Sequence, residues 1–122
     1  MLENKDAAYF VKQGVDNIMS GNVDAAISDF TNAIKLNPKS EEAYGFRAAE
    51  YGKLGQWDEA ISDYTHAIAL KESEINYIGR GCAYFMVDKY DKARLDLKSA
   101  LRFNPDSVEA NYALSQLESV GY

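Results

Sequence analysis

The sequence predicts an all-α chain of stacked helix pairs, a solenoid, and three observations carry that prediction. First, the chain repeats itself: Ala26, Ala60 and Ala93 recur about every 34 residues. The same spacing relates Gly14, Ala48 and Gly81, then Asn17, Tyr51 and Tyr84, then Val23, Trp57 and Tyr90, then Phe30, Tyr64 and Leu97. Second, the middle unit has helical apolar spacing on both sides of Gly55, with Ala43-Tyr44, Arg47-Ala48 and Tyr51 before it. Trp57, Ala60-Ile61, Tyr64, Ala67-Ile68 and Leu70 follow it. Third, neither helix of such a unit can bury its apolar face alone, so each unit needs a copy beside it, and the copies are present.

In order, Asp6 or Asn4 caps a first helix running to Met19 or Ser20. Gly21-Asn22 breaks the chain, and Asn22 is placed to cap the partner helix from Val23 to Leu36. At Asn37-Pro38-Lys39-Ser40 the chain turns, since Pro38 cannot continue a helix and Ser40 can cap the next. The second unit spans Glu41 to Lys53 and Trp57 to Leu70, and Glu72 replaces the closing proline with one residue fewer. A tighter turn capped by Ser73 is expected, with stacking preserved. The third unit runs from Glu74 to Met86, turns at Val87-Asp88-Lys89, and returns from Tyr90 to Phe103. Asn104-Pro105-Asp106-Ser107 repeats the first turn. A last helix, Val108 to Ser119, has Ala110, Ala113, Leu114 and Leu117 on one face and polar residues elsewhere, the composition of a solenoid cap.

The 122-residue chain carries a formal charge of −6, which argues against nucleic acid, since binding it needs a basic surface that displaces condensed counterions. No apolar run approaches the roughly 18 residues of a membrane span, so no insertion is expected. Met1-Leu2-Glu3-Asn4-Lys5-Asp6 lacks the apolar segment of a signal peptide, and one cysteine, Cys82, excludes an intrachain disulfide. Both fit a cytoplasmic protein. No metal or cofactor is expected: His66 and Cys82 stand in no ligand cluster, and Gly79-Arg80-Gly81 falls inside a helix rather than in a phosphate loop. Arg94, Lys98 and Arg102 form a basic stripe at helical spacing, read as a solvated face.

These recurrences, closing at Pro38, Glu72 and Pro105, resemble the tetratricopeptide repeat family. The resemblance covers Ala7 to Ser107 and implies a single domain over residues 1–122. It implies a right-handed superhelix of three helix pairs (7–40, 41–73 and 74–107) plus a capping helix at 108–119. It implies no enzyme, because it puts His66 on an outer helix and Cys82 on an inner one, apart from each other. It also implies a protein-interaction scaffold whose first helices line a concave groove.

Helical spacing assigns the groove positions within that frame. Val11, Val15, Ile18, Ile78, Phe85 and Met86 are expected as walls, Gly45, Ala49 and Gly52 as a floor, with Met19 and Cys82 alongside. Glycines in helix interiors cost up to about 1 kcal/mol each relative to alanine, which suggests that Gly45, Gly52 and Gly79 leave room for an approaching chain. Met19 and Met86 would adapt to what binds. The expected occupant is a hydrophobic helix or extended segment of another protein. The alternative is a homodimer made through the same surface or the end face, with an apolar ligand a third option. One branch of the family holds chaperone carboxylates in a basic clamp. The matching positions here are Val11, Val15, Phe46, Ile75 and Gly79, with Lys12 and Arg80 displaced around their helices. On that basis chaperone carboxylates are not expected as partners.

Overall fold

The computed structural model describes residues 4–122, and the leader reading at Met1-Leu2-Glu3 lies outside them. Seven helices run through the described residues: α1 Ala7–Met19, α2 Val23–Leu36, α3 Glu41–Lys53, α4 Trp57–Leu70, α5 Glu74–Met86, α6 Tyr90–Phe103 and α7 Val108–Ser119. None is long and apolar enough to cross a membrane.

The odd-numbered helices begin on side-chain caps. Asp6 accepts from the Tyr9 N–H at 2.9 Å, Ser40 from Ala43 at 3.3 Å, Ser73 from Asn76 at 3.2 Å and Ser107 from Ala110 at 3.2 Å. The even-numbered helices begin without one. Asn22 is the N-cap residue of α2, but its amide reaches Asn17 at 3.5 Å instead of the helix, which corrects the expected cap. The turn itself does the work there. Residue 21, 55 or 88 adopts positive φ (77°, 72° and 61°), and the next N–H reaches back to Asn17, Tyr51 or Tyr84 at 2.8, 3.0 and 2.9 Å. Two of these residues are glycines; Asp88 tolerates the left-handed conformation through its short polar side chain.

Each helix packs on its partner (α1 on α2, α3 on α4, α5 on α6), and each pair stacks on the next through α2–α3, α4–α5 and α6–α7. The shortened turn between Leu70 and Glu74 leaves the α4–α5 stacking intact. Slimmer α1–α3, α3–α5 and α5–α7 contacts put the odd-numbered helices in one row. The recurring alanines are buried at the crossings, and one large side chain per unit fills the space between helices: Phe30, Tyr64 and Leu97.

A polar network repeats with the helices. Arg47 donates through Nε and Nη2 to both carboxylate oxygens of Asp63, at 2.7 and 2.8 Å, and through Nη1 to the Thr31 hydroxyl of the preceding pair at 3.1 Å. Arg80 does the same to Asp96 (2.8 and 2.8 Å) and Thr65 (3.2 Å). Tyr51 and Tyr84 lie against the two guanidiniums at 5.7 Å. In the first pair Asn17 stands in, donating to Asp29 at 2.6 Å. Hydrogen bonding to the aspartate is the leading reason each arginine's pKa is raised. Helical spacing alone places Arg47 in the apolar stripe of its helix and gives no sign of this pairing.

Candidate functional site

The row α1, α3, α5, α7 presents the expected groove positions, but it treats them unequally. Met19 (81% exposed), Ala49, Cys82 and Met86 are open. Val11, Val15 and Ile18 are half-buried against the Ala26–Phe30–Ala33–Ala43 core, and Ile78 is 9% exposed within the next cluster. Phe85 packs on Tyr90, ring centroids 5.3 Å apart. These wall residues therefore carry core packing as well as surface, because α1 and α5 turn part of the same stripe onto their neighbours.

The glycine floor is corrected. A Cβ at Gly45 would lie 2.8 Å from Asn76 Oδ1, one at Gly52 would lie 3.3 Å from the Trp57 ring, and one at Gly79 would run into the Tyr64 ring. The room those glycines leave is taken by side chains of this same chain.

Four of the expected residues come together. Ile78, Cys82, Phe85 and Met86 of α5 form one wall of a cleft of about 440 Å³, faced by Tyr112 and Ala113 of α7 and floored by Leu97 and Trp57. Glu109 and Gln116 stand among the lining residues. Val11, Val15, Ile18, Met19, Gly45, Ala49 and Gly52 lie outside this cleft. The α7 contribution was missed because α7 was read only as a cap. Carrying the register forward from Pro38 to Pro105 would have found it, since Glu42, Gly45, Phe46 and Ala49 then map onto Glu109, Tyr112, Ala113 and Gln116.

The groups with chemical potential are held quiet. Cys82 is an exposed residue, but its thiol is pushed up, first by burial against the cleft and then by Glu109. The Tyr64 phenol is pushed up to about 12, chiefly by burial, then by Cys82 and Glu50. His66 stacks on Tyr44 at 4.9 Å and sits against the Ser62 carbonyl at 2.9 Å on the outer face. Among the described residues no group of three or more His, Cys, Asp or Glu is placed to hold a metal ion.

The tetratricopeptide repeat family model matches residues 41–74. The chain is 32% identical to Hsp70-Hsp90 organizing protein 2 of Arabidopsis thaliana over 69% of its own length and 15% of the relative's. It is 30% identical to RNA polymerase II-associated protein 3 of Rattus norvegicus over 96% of its own length and 18% of the relative's. It thus spans under a fifth of these curated relatives. Among solved structures, the first such domain of Spaghetti, bound to the HSP90 peptide SRMEEVD, superposes with a TM-score of 0.92 at 27% identity, over 98% of this chain and 95% of that one. The second domain of human RNA polymerase II-associated protein 3, in complex with the HSP70 peptide SGPTIEEVD, gives 0.88 at 26% identity, over 92% and 94%.

These neighbours overturn the expectation that chaperone peptides are not partners and that the chain stands apart from the chaperone-binding branch. The exclusion rested on five positions and on one way of pairing charge. It took no account of groove shape or of the apolar side chains in such peptides. The chain thus has the all-helical superhelix seen in solved tetratricopeptide-repeat domains, and the repeat's family model matches it at residues 41–74.

Proposed function

We propose that the concave row α1–α3–α5–α7 binds an extended peptide segment of another protein, acting as a non-catalytic adaptor. The observation that supports this most directly is the near-complete superposition on a domain bound to SRMEEVD. The open apolar cleft between α5 and α7 supplies a place for side-chain anchors, which peptide-in-groove recognition requires. HSP90-type and HSP70-type peptides are the first ligands to try.

Fluorescently labelled SRMEEVD and SGPTIEEVD are titrated with the protein and followed by anisotropy. Saturable binding is expected, weakened at least tenfold by Ala49→Glu, which puts an anion on the exposed face of α3 against these acidic peptides without disturbing the core. Unchanged helicity and melting temperature of that variant confirm that the fold is intact. Failure of both peptides to bind, or indifference to Ala49→Glu, counts against the groove.

A further inference from the structure

The α5–α7 cleft has a charge pattern that narrows what it accepts. Its walls are almost entirely apolar and aromatic, from Trp57, Ile78, Phe85, Met86 and Tyr112. Glu109 is the only ionisable acid or base among the residues that line it, apart from the Cys82 thiol and the Tyr112 phenol. No hydrogen bond or ion pair joins Glu109 to another described side chain, and no lysine or arginine is among the residues that line the cleft. A carboxylate at the edge of an apolar, aromatic-walled cleft complements a cation carried beside an apolar group. The carboxylate pairs with the charge, while aromatic faces favour it further.

Resting on the peptide-groove reading above, we infer that this cleft is an anchor site for a large apolar peptide side chain with Arg or Lys within two residues of it, the cation pairing with Glu109. An Arg-Met pair meets that description, and a Glu-Met pair does not. The cleft reports its own occupancy, because Trp57 is the only tryptophan of the chain and lies in its lining.

The test titrates the 122-residue chain with labelled SRMEEVD, SRAEEVD and SEMEEVD, reading anisotropy for binding and Trp57 emission for occupancy of the cleft. The proposal expects SRMEEVD to bind at least tenfold tighter than either variant peptide and to shift Trp57 emission at the same concentrations. Glu109→Gln should shrink the preference for SRMEEVD over SEMEEVD to below threefold, and Glu109→Lys should reverse it. Glu118→Lys on the same helix controls for the change in overall charge and should leave the preference intact. Binding with no discrimination among the peptides, with Trp57 silent, overturns the cleft assignment and leaves the groove reading standing. So does a Glu118→Lys effect equal to that of Glu109→Lys. Absence of binding by both SRMEEVD and SGPTIEEVD overturns both.

Discussion

Tyr64 lies across Gly79: a methyl carbon at residue 79 would stand 2.5 Å from the phenolic oxygen and 2.6 Å from Cε1. Helix propensity alone favours alanine over an interior glycine by up to about 1 kcal/mol. Overpacking against a ring that is 8% exposed costs about 1–3 kcal/mol and wins. Gly79→Ala should therefore destabilise the fold by about 1–2 kcal/mol, read as a lower urea midpoint. In a Tyr64→Ala background the same change should raise it. Gly52→Ala meets only the edge of Trp57 at 3.3 Å and should stabilise by up to about 1 kcal/mol. Equal effects of Gly52→Ala and Gly79→Ala would remove Tyr64 from the account.

Asp63 is the sole acceptor of two bonds from Arg47, whose side chain is 16% exposed. Asp63→Ala leaves that guanidinium buried with only Thr31 as partner, at a loss of about 3–5 kcal/mol. Arg47→Leu combined with Asp63→Leu should recover most of the loss, because no unpaired charge remains. The solvent-exposed pair Arg102–Glu72, 4.0 Å apart, is the contrast, and Glu72→Gln should move stability by less than about 1 kcal/mol. Chemical denaturation of the three variants at neutral pH orders these effects.

The phenol of Tyr64 titrates near 12 in the fold against 10.0 ordinarily. The folded state therefore keeps a proton that the unfolded chain has already released, so its contribution is complete below pH 10. It is lost as pH rises from about 10 to 12, on the order of 2–3 kcal/mol in all. Urea midpoints measured from pH 9 upward should fall more steeply for the native protein than for Tyr64→Phe. Parallel curves would mean that the ring is not desolvated as described.

Glu50 is 1% exposed, with Oε1 held by Lys53 at 2.7 Å and Oε2 without any hydrogen-bond partner. The equivalent position of the third pair is Ala83, which shows that the packing does not require a carboxylate there. Glu50→Met keeps most of the volume and removes the desolvated charge, so the melting temperature should rise, with a gain of about 1–3 kcal/mol. A loss would show that Lys53 more than offsets the orphaned oxygen.

Helix ends were legible because their causes are local. Pro38, Pro105, Ser40, Ser73 and the glycines at 21 and 55 act on the residues beside them, and the helices start and stop where these residues indicate. The groove was legible only as a stripe. Spacing along α5 found Ile78, Cys82, Phe85 and Met86, but it could not show that Val11 and Val15 lean into the first core or that Trp57 floors the cleft from another helix. The glycines misled for the same reason. What fills the space above a glycine is set by Asn76, Trp57 or Tyr64, and each of those neighbours arrives from another helix. Arg47 and Asp63 are 16 residues apart, and only the closed helix pair brings them together.

Because Arg47 fastens α2 and α4 to α3, and Arg80 fastens α4 and α6 to α5, the two fastenings share α4. Melting of the α1–α2 pair takes Thr31 from Arg47, and melting of the α3–α4 pair takes Thr65 from Arg80. Amide hydrogens from α2 to α6 should accordingly exchange through one shared opening event, with independent fraying confined to α1 and α7. On the peptide-groove proposal, inner helices that open together would offer a bound peptide one rigid track, so affinity lost to damage at one end of the stack would be felt at the other.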